Sequence, residues 1–353
     1  MTVLKLGSLF DGIGVFPLAA MHCGMEPVWA SEIEARPISI TKRHFPDMLH
    51  LGDITKISGA EIPPVDVITF GSPCQDLSQI GTRNGFAGKK SSLFYQAMRI
   101  IEEMRYATNG RYPAFCIWEN VAGAFSSNDR LDFAAMLRAF TGAEVSVPPR
   151  GWAHAGMVRG GCADTAWRLL DAQYWGEPAL AQRRKRVFVV ADFAGQRAGE
   201  VLFKPRTVLP FSTISGPGGL SATQRGGVPA AQTGRQVPIV RPFSLRRMRT
   251  MAQVGDQKGF CASFGRGGEP FPTLLASVTA PFSFWYEGEE SDGFLRVLTP
   301  LECERLMGLP ENWTKYGCKN EEISDHARYR ALGNSIALPC AEYVMAGIAE
   351  VMN

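Results

Sequence analysis

The sequence has no run of 18 or more apolar residues, so no membrane-spanning helix is predicted. Its opening stretch, Met1–Phe10, lacks the long apolar core of a secretory signal, and the expected compartment is the cytoplasm. Eight cysteines, at positions 23, 74, 116, 162, 261, 303, 318 and 340, include no CxxC pair, which removes zinc-knuckle and thioredoxin patterns. No metal site is expected, and scattered thiols fit a reduced compartment. Internal repeats and low-complexity tracts are missing as well. Charged residues are only 20% of the chain against 45% hydrophobic, too apolar a balance for disorder. The 353 residues suffice for one large domain or two ordinary ones.

The charge is unevenly placed. Between Gln182 and Thr250 stand 13 basic residues and two acids, a net +11, which leaves the rest of the chain at −8 within a whole-chain net of +3. A positive segment on an acidic body points to a polyanion, because phosphate contacts dominate nucleic-acid affinity.

Short apolar runs alternate with helical patterns in the first half. Val3–Phe10, Val28–Ser31, Val65–Gly71, Ala114–Glu119 and Arg186–Asp192 read as strands with both faces covered. Ser92–Tyr106 puts Leu93, Phe94, Ala97, Ile100, Ile101 and Met104 on one helical face, and Leu131–Phe140 is a shorter helix. The alternation predicts an α/β fold with a doubly wound, mostly parallel sheet. After about Ala194 the chain turns Gly-, Pro- and Arg-rich, but its aromatics, among them Phe260, Phe264 and Trp285, predict a small irregular domain. Thr299-Pro300-Leu301-Glu302 is a capping box, and a last helix is predicted over roughly 335–351. The expected divisions are 1–193, 194–292 and a returning segment, 293–353.

Three motifs carry chemistry. Phe10-Asp11-Gly12-Ile13-Gly14 follows the first strand, where two glycines allow a tight turn and close ligand approach; the third glycine of the dinucleotide fingerprint is absent. Glu32 lies 20 residues beyond Gly12, where such folds hold a ribose hydroxyl, and Asp53 follows in Leu51-Gly52-Asp53-Ile54. Gly71-Ser72-Pro73-Cys74-Gln75 puts a cysteine at a strand's carboxyl end, framed by polar residues as a buried structural thiol rarely is. Ile117-Trp118-Glu119-Asn120-Val121 brings a carboxyl to the same edge, where partial desolvation would raise its pKa and suit it to proton delivery.

Together these pieces resemble the C5-cytosine-specific DNA methyltransferase family, over nearly everything outside the irregular segment. Phe10–Gly14 is similar to that family's cofactor loop, Pro73-Cys74-Gln75 to its nucleophile motif and Glu119-Asn120-Val121 to its proton-donor motif. Gln182-Arg183-Arg184-Lys185-Arg186 resembles its Gln-x-Arg-x-Arg signature, and Arg328–Leu332 with Gly333-Asn334-Ser335-Ile336 its closing motif. Val15, Leu77 and Lys90 depart from the usual glycine, phenylalanine and arginine.

The resemblance implies a Rossmann-like, S-adenosylmethionine-dependent fold in which Cys74 attacks cytosine C6 and Glu119 holds N3. It also implies that Arg186 meets the O2 edge, that Arg184 orients Glu119 or a phosphate, and that Asn120 positions the motif. Phe10, Gly12, Gly14, Glu32, Asp53, Ile54, Pro73, Leu93, Asn334, Ser335 and Ile336 would line the cofactor. Double-stranded DNA is the implied partner, read by the irregular segment, with Arg225, Arg235, Arg241, Arg246, Arg247 and Arg249 as candidate contacts. A prokaryotic monomer is expected, with a cognate restriction endonuclease, if one exists, not bound to it. Rival readings are a tRNA cytosine methyltransferase on the same fold, a dinucleotide-dependent oxidoreductase, and a catalytically silent DNA-binding protein. The oxidoreductase leaves the Cys74 and Glu119 motifs unexplained, and an intact nucleophile and acid argue against the silent protein.

Overall fold

Eight strands form one sheet in the computed structural model, which describes residues 3–72, 93–204, 239–242, 270–271, 273–274, 282–286 and 294–353. They are β1 (Lys5–Leu9), β2 (Glu26–Ser31), β3 (Leu49–His50), β4 (Val67–Phe70), β5 (Phe115–Val121), β6 (Ala155–Arg159), β7 (Asp164–Asp171) and β8 (Lys185–Asp192), in the order β3-β2-β1-β4-β5-β8-β7-β6. β1 runs parallel to β2 and β4, β2 to β3, and β4 to β5. The predicted strands are all present. The mostly parallel sheet holds only for β1–β5, because β8 pairs antiparallel with β5, and β6 antiparallel with β7. β6 and β7 were not legible: β6 is short and buries none of its residues fully, and β7 begins and ends on aspartate.

The helices in this region are α1 (Val15–His22), α2 (Ala35–His44), α3 (Leu93–Ala107), α4 (Leu131–Thr141) and α5 (Ala198–Leu202). Strand side chains alternate between faces. One set, Leu9, Ile68, Phe70, Cys116, Trp118, Val187 and Val189, is buried in a single core with Phe94, Ala97, Ile101 and Met104 of α3 and Phe133, Met136 and Phe140 of α4. Phe94 sits edge-on to both Trp118 and Phe140, with ring centroids 6.2 and 6.0 Å apart, a favoured aromatic geometry. The alternate residues Leu6, Ser8, Val67, Thr69, Phe115 and Ile117 belong to the other face and are also buried.

The chain divides into two compact units, and the boundaries differ from the three expected segments. The first holds Met1–Leu170, Lys185–Pro205 and Cys340–Asn353; the second holds Asp171–Arg184 and Arg206–Pro339. Only the last 14 residues return to the first unit, rather than everything from 293 onward. All but Asn353 lie on α8 (Leu338–Met352), whose Val344, Met345 and Ile348 are buried. There Gly347 is so close to the Val201 carbonyl of α5 that a Cβ would lie 2.6 Å from its oxygen.

In the second unit β9 (Ile239–Pro242), β10 (Phe282–Tyr286) and β11 (Phe294–Val297) form an antiparallel sheet in the order β11-β10-β9. α6 (Pro300–Leu306) starts with the expected capping box: Glu302 donates its backbone N–H to Thr299 Oγ1, and Thr299 donates its own to Glu302 Oε2. α7 (Asp325–Asn334) follows. Its Arg328 donates to buried Glu304 at 3.0 Å, and Glu304 also accepts from the Asn312 and Thr314 amides. Among the described residues no single helix is long and apolar enough to cross a membrane.

Candidate active site

The parallel register sets Phe70 beside Trp118, so the residues that follow, Gly71 and Glu119, meet at the carboxyl edge of β4 and β5. A Cβ on Gly71 would lie 3.1 Å from Glu119 Oε2, tight enough that glycine is what gives this carboxylate room. Ser72 is buried and bonded twice to β5: its hydroxyl accepts from Trp118 Nε1 at 3.0 Å, and its carbonyl accepts from Asn120 Nδ2 at 3.1 Å. Asn120 Oδ1 in turn accepts the Val121 amide at 2.8 Å. The chain entering Pro73-Cys74-Gln75 is therefore fixed to the strand that carries Glu119. Pro73 and Cys74 themselves lie outside the described residues.

Because β8 is antiparallel, its first residues, not its last, reach this edge; Arg186 is in register with Val121. Arg186 Nε lies 2.9 Å from Glu119 Oε1, and both side chains are largely shielded from solvent. Arg184 was expected to orient Glu119 or a phosphate. Instead it belongs to the second unit, where its fully buried guanidinium donates to the carbonyls of Leu274, Gly333 and Ser335. That burial removes it from phosphate contact. Leu93 opens α3, and Asn334, exposed, closes α7 in the second unit ahead of Ser335 and buried Ile336.

At the carboxyl end of β1 the loop turns through three positive-φ residues, Phe10 (54°), Gly12 (60°) and Gly14 (78°). Among the described residues nothing lies within 4 Å of where a Gly12 Cβ would stand, so the turn is open toward them. Glu32, at the end of β2, accepts the Gly12 amide through Oε2 at 2.9 Å and the Ile33 and Glu34 amides through Oε1. Asp53 accepts both the amide and the hydroxyl of Thr55 through Oδ1, which holds its carboxyl below the ordinary value, and Ile54 behind it is buried.

Asp11, which the sequence marks only as part of the loop, stands apart in the fold. Both its oxygens are buried, as are the Ser8 and Thr69 hydroxyls. Burial pushes its carboxyl up to about 7; a hydrogen bond with the Ser8 side chain works against this and the Glu32 charge adds to the rise. The available signal was an acid set between apolar Phe10 and the loop glycine.

Of the candidate DNA contacts, Arg225, Arg235, Arg246, Arg247 and Arg249 lie outside the described residues. Arg241 is on β9, in register with Phe284. The +11 segment overstates the charge open to a polyanion. Arg184 is buried among carbonyls, Arg186 meets Glu119, Arg197 is bound to buried Asp192, and Lys204 pairs with Glu350.

A family model described as C-5 cytosine-specific DNA methylase matches residues 4–205 and 244–350. Several relatives match almost the whole chain, two of them as follows. A DNA N-6-adenine-methyltransferase of Escherichia phage P1 is 24% identical over 98% of this chain and 61% of its own length. Type II methyltransferase M1.ScrFI of Lactococcus lactis subsp. cremoris is 27% identical over 99% of this chain and 78% of its own. The chain thus spans less than two thirds of the phage relative. A crystal structure described as a prophage-encoded DNA modification methyltransferase of E. coli shares the fold, with a TM-score of 0.61, 16% identity and 99% of both chains covered.

Proposed function

Because the chain belongs to the C-5 cytosine-specific DNA methylase family, we propose that it methylates C5 of a cytosine flipped out of a specific duplex DNA sequence, through a covalent adduct on Cys74. The observation that carries this reading is Glu119, held by Arg186 against Gly71 on the strand that anchors the entry to the nucleophile motif.

Cytosine C5 is a weak nucleophile and needs activation. The Cys74 thiolate adds to C6, and electron density moves to C5; one difficult step becomes two easier ones. Glu119 supplies a proton at N3, which limits charge build-up on the ring during the attack. Arg186 fixes the Glu119 carboxyl and reaches toward the O2 edge, while Asn120 and Ser72 keep the two motifs in step. Loss of the C5 proton and expulsion of Cys74 restore the aromatic ring. S-adenosylmethionine, when bound, supplies the electrophilic methyl group.

The first unit suits that cofactor on its own geometry. The open turn at Gly12, the hydrogen-bond capacity left on Glu32 and Asp53, and the buried Asp11 carboxyl form a polar rim at the carboxyl edge of β1–β3. Glu32 would take the ribose hydroxyls, Asp53 the adenine amine and Ile54 the ring, with Phe10, Gly12 and Gly14 beneath the amino-acid end. DNA recognition is assigned to the segment around 194–292, and flipping costs roughly a few kcal/mol.

The phage relative's name raises adenine N6 as a target. An exocyclic amine already carries a lone pair and needs no covalent activation, so Cys74 and Glu119 favour cytosine. Bisulfite sequencing and nucleoside mass spectrometry of duplex DNA treated with the protein and S-adenosylmethionine test the proposal. 5-Methylcytosine at one recurrent sequence is expected. N6-methyladenine instead, or transfer to tRNA alone, would overturn it.

A further inference from the structure

The edge that carries Glu119 also carries two loops that the proposed chemistry leaves unused. The first, 122–130, continues directly from Glu119-Asn120-Val121. It ends in three consecutive residues with left-handed backbone, Asn128 (φ 47°), Asp129 (50°) and Arg130 (73°). Asparagine and aspartate tolerate that conformation, but an arginine is strained where glycine would be free. Buried Asp132 holds the turn in place, accepting from the Ser127 hydroxyl and from Asn128 Nδ2. Such strain persists only where the surrounding fold over-determines it, and it gathers at ligand clamps.

The second loop, 148–154, leads into β6 and is locked onto the first. Trp152 Nε1 donates to the Arg130 carbonyl at 3.0 Å, and its ring meets Phe133 edge-on, with centroids 5.0 Å apart. The exposed His154 ring stacks on Phe125, with centroids 6.4 Å apart. A Cβ on Gly151 would lie 3.1 Å from the guanidinium carbon of Arg130, so that cation rests on the turn that carries Arg150. Neighbouring arginines are already paired, Arg138 with Glu144 and Arg159 with Asp164. Arg130 and Arg150 are exposed, and among the described residues neither has an ion pair. Asp129 is the one exposed acid of the two loops.

We propose that Arg130, Arg150 and His154 form a phosphate grip on the first unit, which holds the duplex backbone beside the flipped cytosine irrespective of sequence. This rests on the methyltransferase reading above and adds to it a second contact with the same substrate, apart from the recognition segment. A base seated at Glu119 stays joined to its own strand, so its flanking phosphates run along the edge from which 122–130 departs. Arginine matches phosphate in charge and in the fork of its donors. The His154 ring, braced by Phe125, adds an N–H donor. Contacts of this kind fix position and add affinity, but they read no base.

Fluorescence anisotropy of the full chain with S-adenosylhomocysteine tests this on two duplexes, one carrying the sequence found by bisulfite sequencing and one scrambled. For Arg130→Gln and Arg150→Gln, Kd should rise about threefold to tenfold each, by the same factor for both duplexes. The slope of log K against log salt should flatten by about one for each arginine removed. Asp129→Asn removes the opposing charge and should tighten both duplexes by about twofold. Arg130→Gly separates a grip from a scaffold. Its DNA affinity should fall as for Arg130→Gln, while its melting temperature stays at or above that of wild type, because glycine accepts this backbone freely. A lower melting temperature with unchanged DNA affinity would make Arg130 a structural residue and overturn the assignment. Unchanged binding and salt slope in both Gln variants, or weakening confined to the specific duplex, would overturn it as well. A wild-type protein that binds no duplex, or binds RNA alone, would overturn the DNA methyltransferase reading itself, and the grip with it.

Discussion

Asp11 follows β1 at the carboxyl edge of the parallel strands, whereas Asp192 ends β8 at the opposite edge, in register with Phe115, the first residue of β5. Both are acids at the end of a buried strand, and their surroundings could hardly differ more. Asp192 accepts the Ala194 and Arg197 amides and two bonds from the Arg197 guanidinium, all between 2.9 and 3.1 Å. Burial works against its charge, but these bonds outweigh it, and its pKa falls below the ordinary value. Asp11 has a bond with the Ser8 side chain in place of these, and its pKa rises to about 7. One edge is closed by the chain for its own sake; the other keeps polar capacity in reserve. Glu119 shares the reserved edge and is held by Arg186.

The sharpest way to break this contrast is chemical. Cys74→Ser should cut methyl transfer by roughly a thousandfold or more while leaving S-adenosylhomocysteine binding within a few-fold, since an oxygen nucleophile is little ionised near neutral pH. Steady-state rates and calorimetry on one preparation check both halves. Normal turnover would remove Cys74 from the mechanism. Glu119→Gln comes next: an amide can hold N3 but cannot readily protonate it, so the rate should fall roughly 10²–10⁴-fold with DNA affinity nearly unchanged. A rate within a few-fold of wild type would place the proton source elsewhere.

At the closed edge the same kind of change should touch stability and not chemistry. Arg197→Ala leaves buried Asp192 with only its backbone donors. Arg197 is about one-third exposed, so the loss should be modest for a buried pair, about 1–3 kcal/mol. Because the folded pKa of Asp192 is depressed, its stabilisation is present above the unfolded value and is lost as pH falls through the folded one. The variant should therefore unfold at a higher pH on acidification. Denaturant melts between pH 3 and 7 measure this, and kcat at pH 7.5 should not move.

How legible this was depends on the kind of signal. Strands β1, β2, β4, β5 and β8 are apolar runs covered on both faces, and α3 shows a clean helical period, so pattern alone finds them. Glu119 and Gly71 sit in local motifs whose meeting follows from parallel pairing. The antiparallel entry of β8 was invisible, since strand direction depends on a distant partner, and with it went the reason that Arg186, not Arg184, meets Glu119. Charge counting also misled: a sequence cannot show that Arg184 is buried among carbonyls or that Arg197 serves Asp192. Asp11 was in plain view but unremarkable, because the burial of its carboxyl is a property of packing alone.

The smallest effect is the most direct test of the contrast, because it predicts a gain. A carboxyl whose folded pKa lies near 7 and whose unfolded value is 3.8 keeps its proton in the folded state between those limits while the unfolded chain releases it. The folded state then binds more protons, so stability falls as pH rises from about 4 to about 7 and stays low above that. Asp11→Asn removes this penalty but leaves a buried amide that must still find partners, so the recovery should be partial, roughly 1–2 kcal/mol at pH 8. At pH 4, where Asp11 is protonated when folded, wild type and variant should melt nearly together. If the variant were less stable than wild type at pH 8, the Ser8 bond would outweigh the burial of Asp11, and the two edges of the sheet would not differ in the way described.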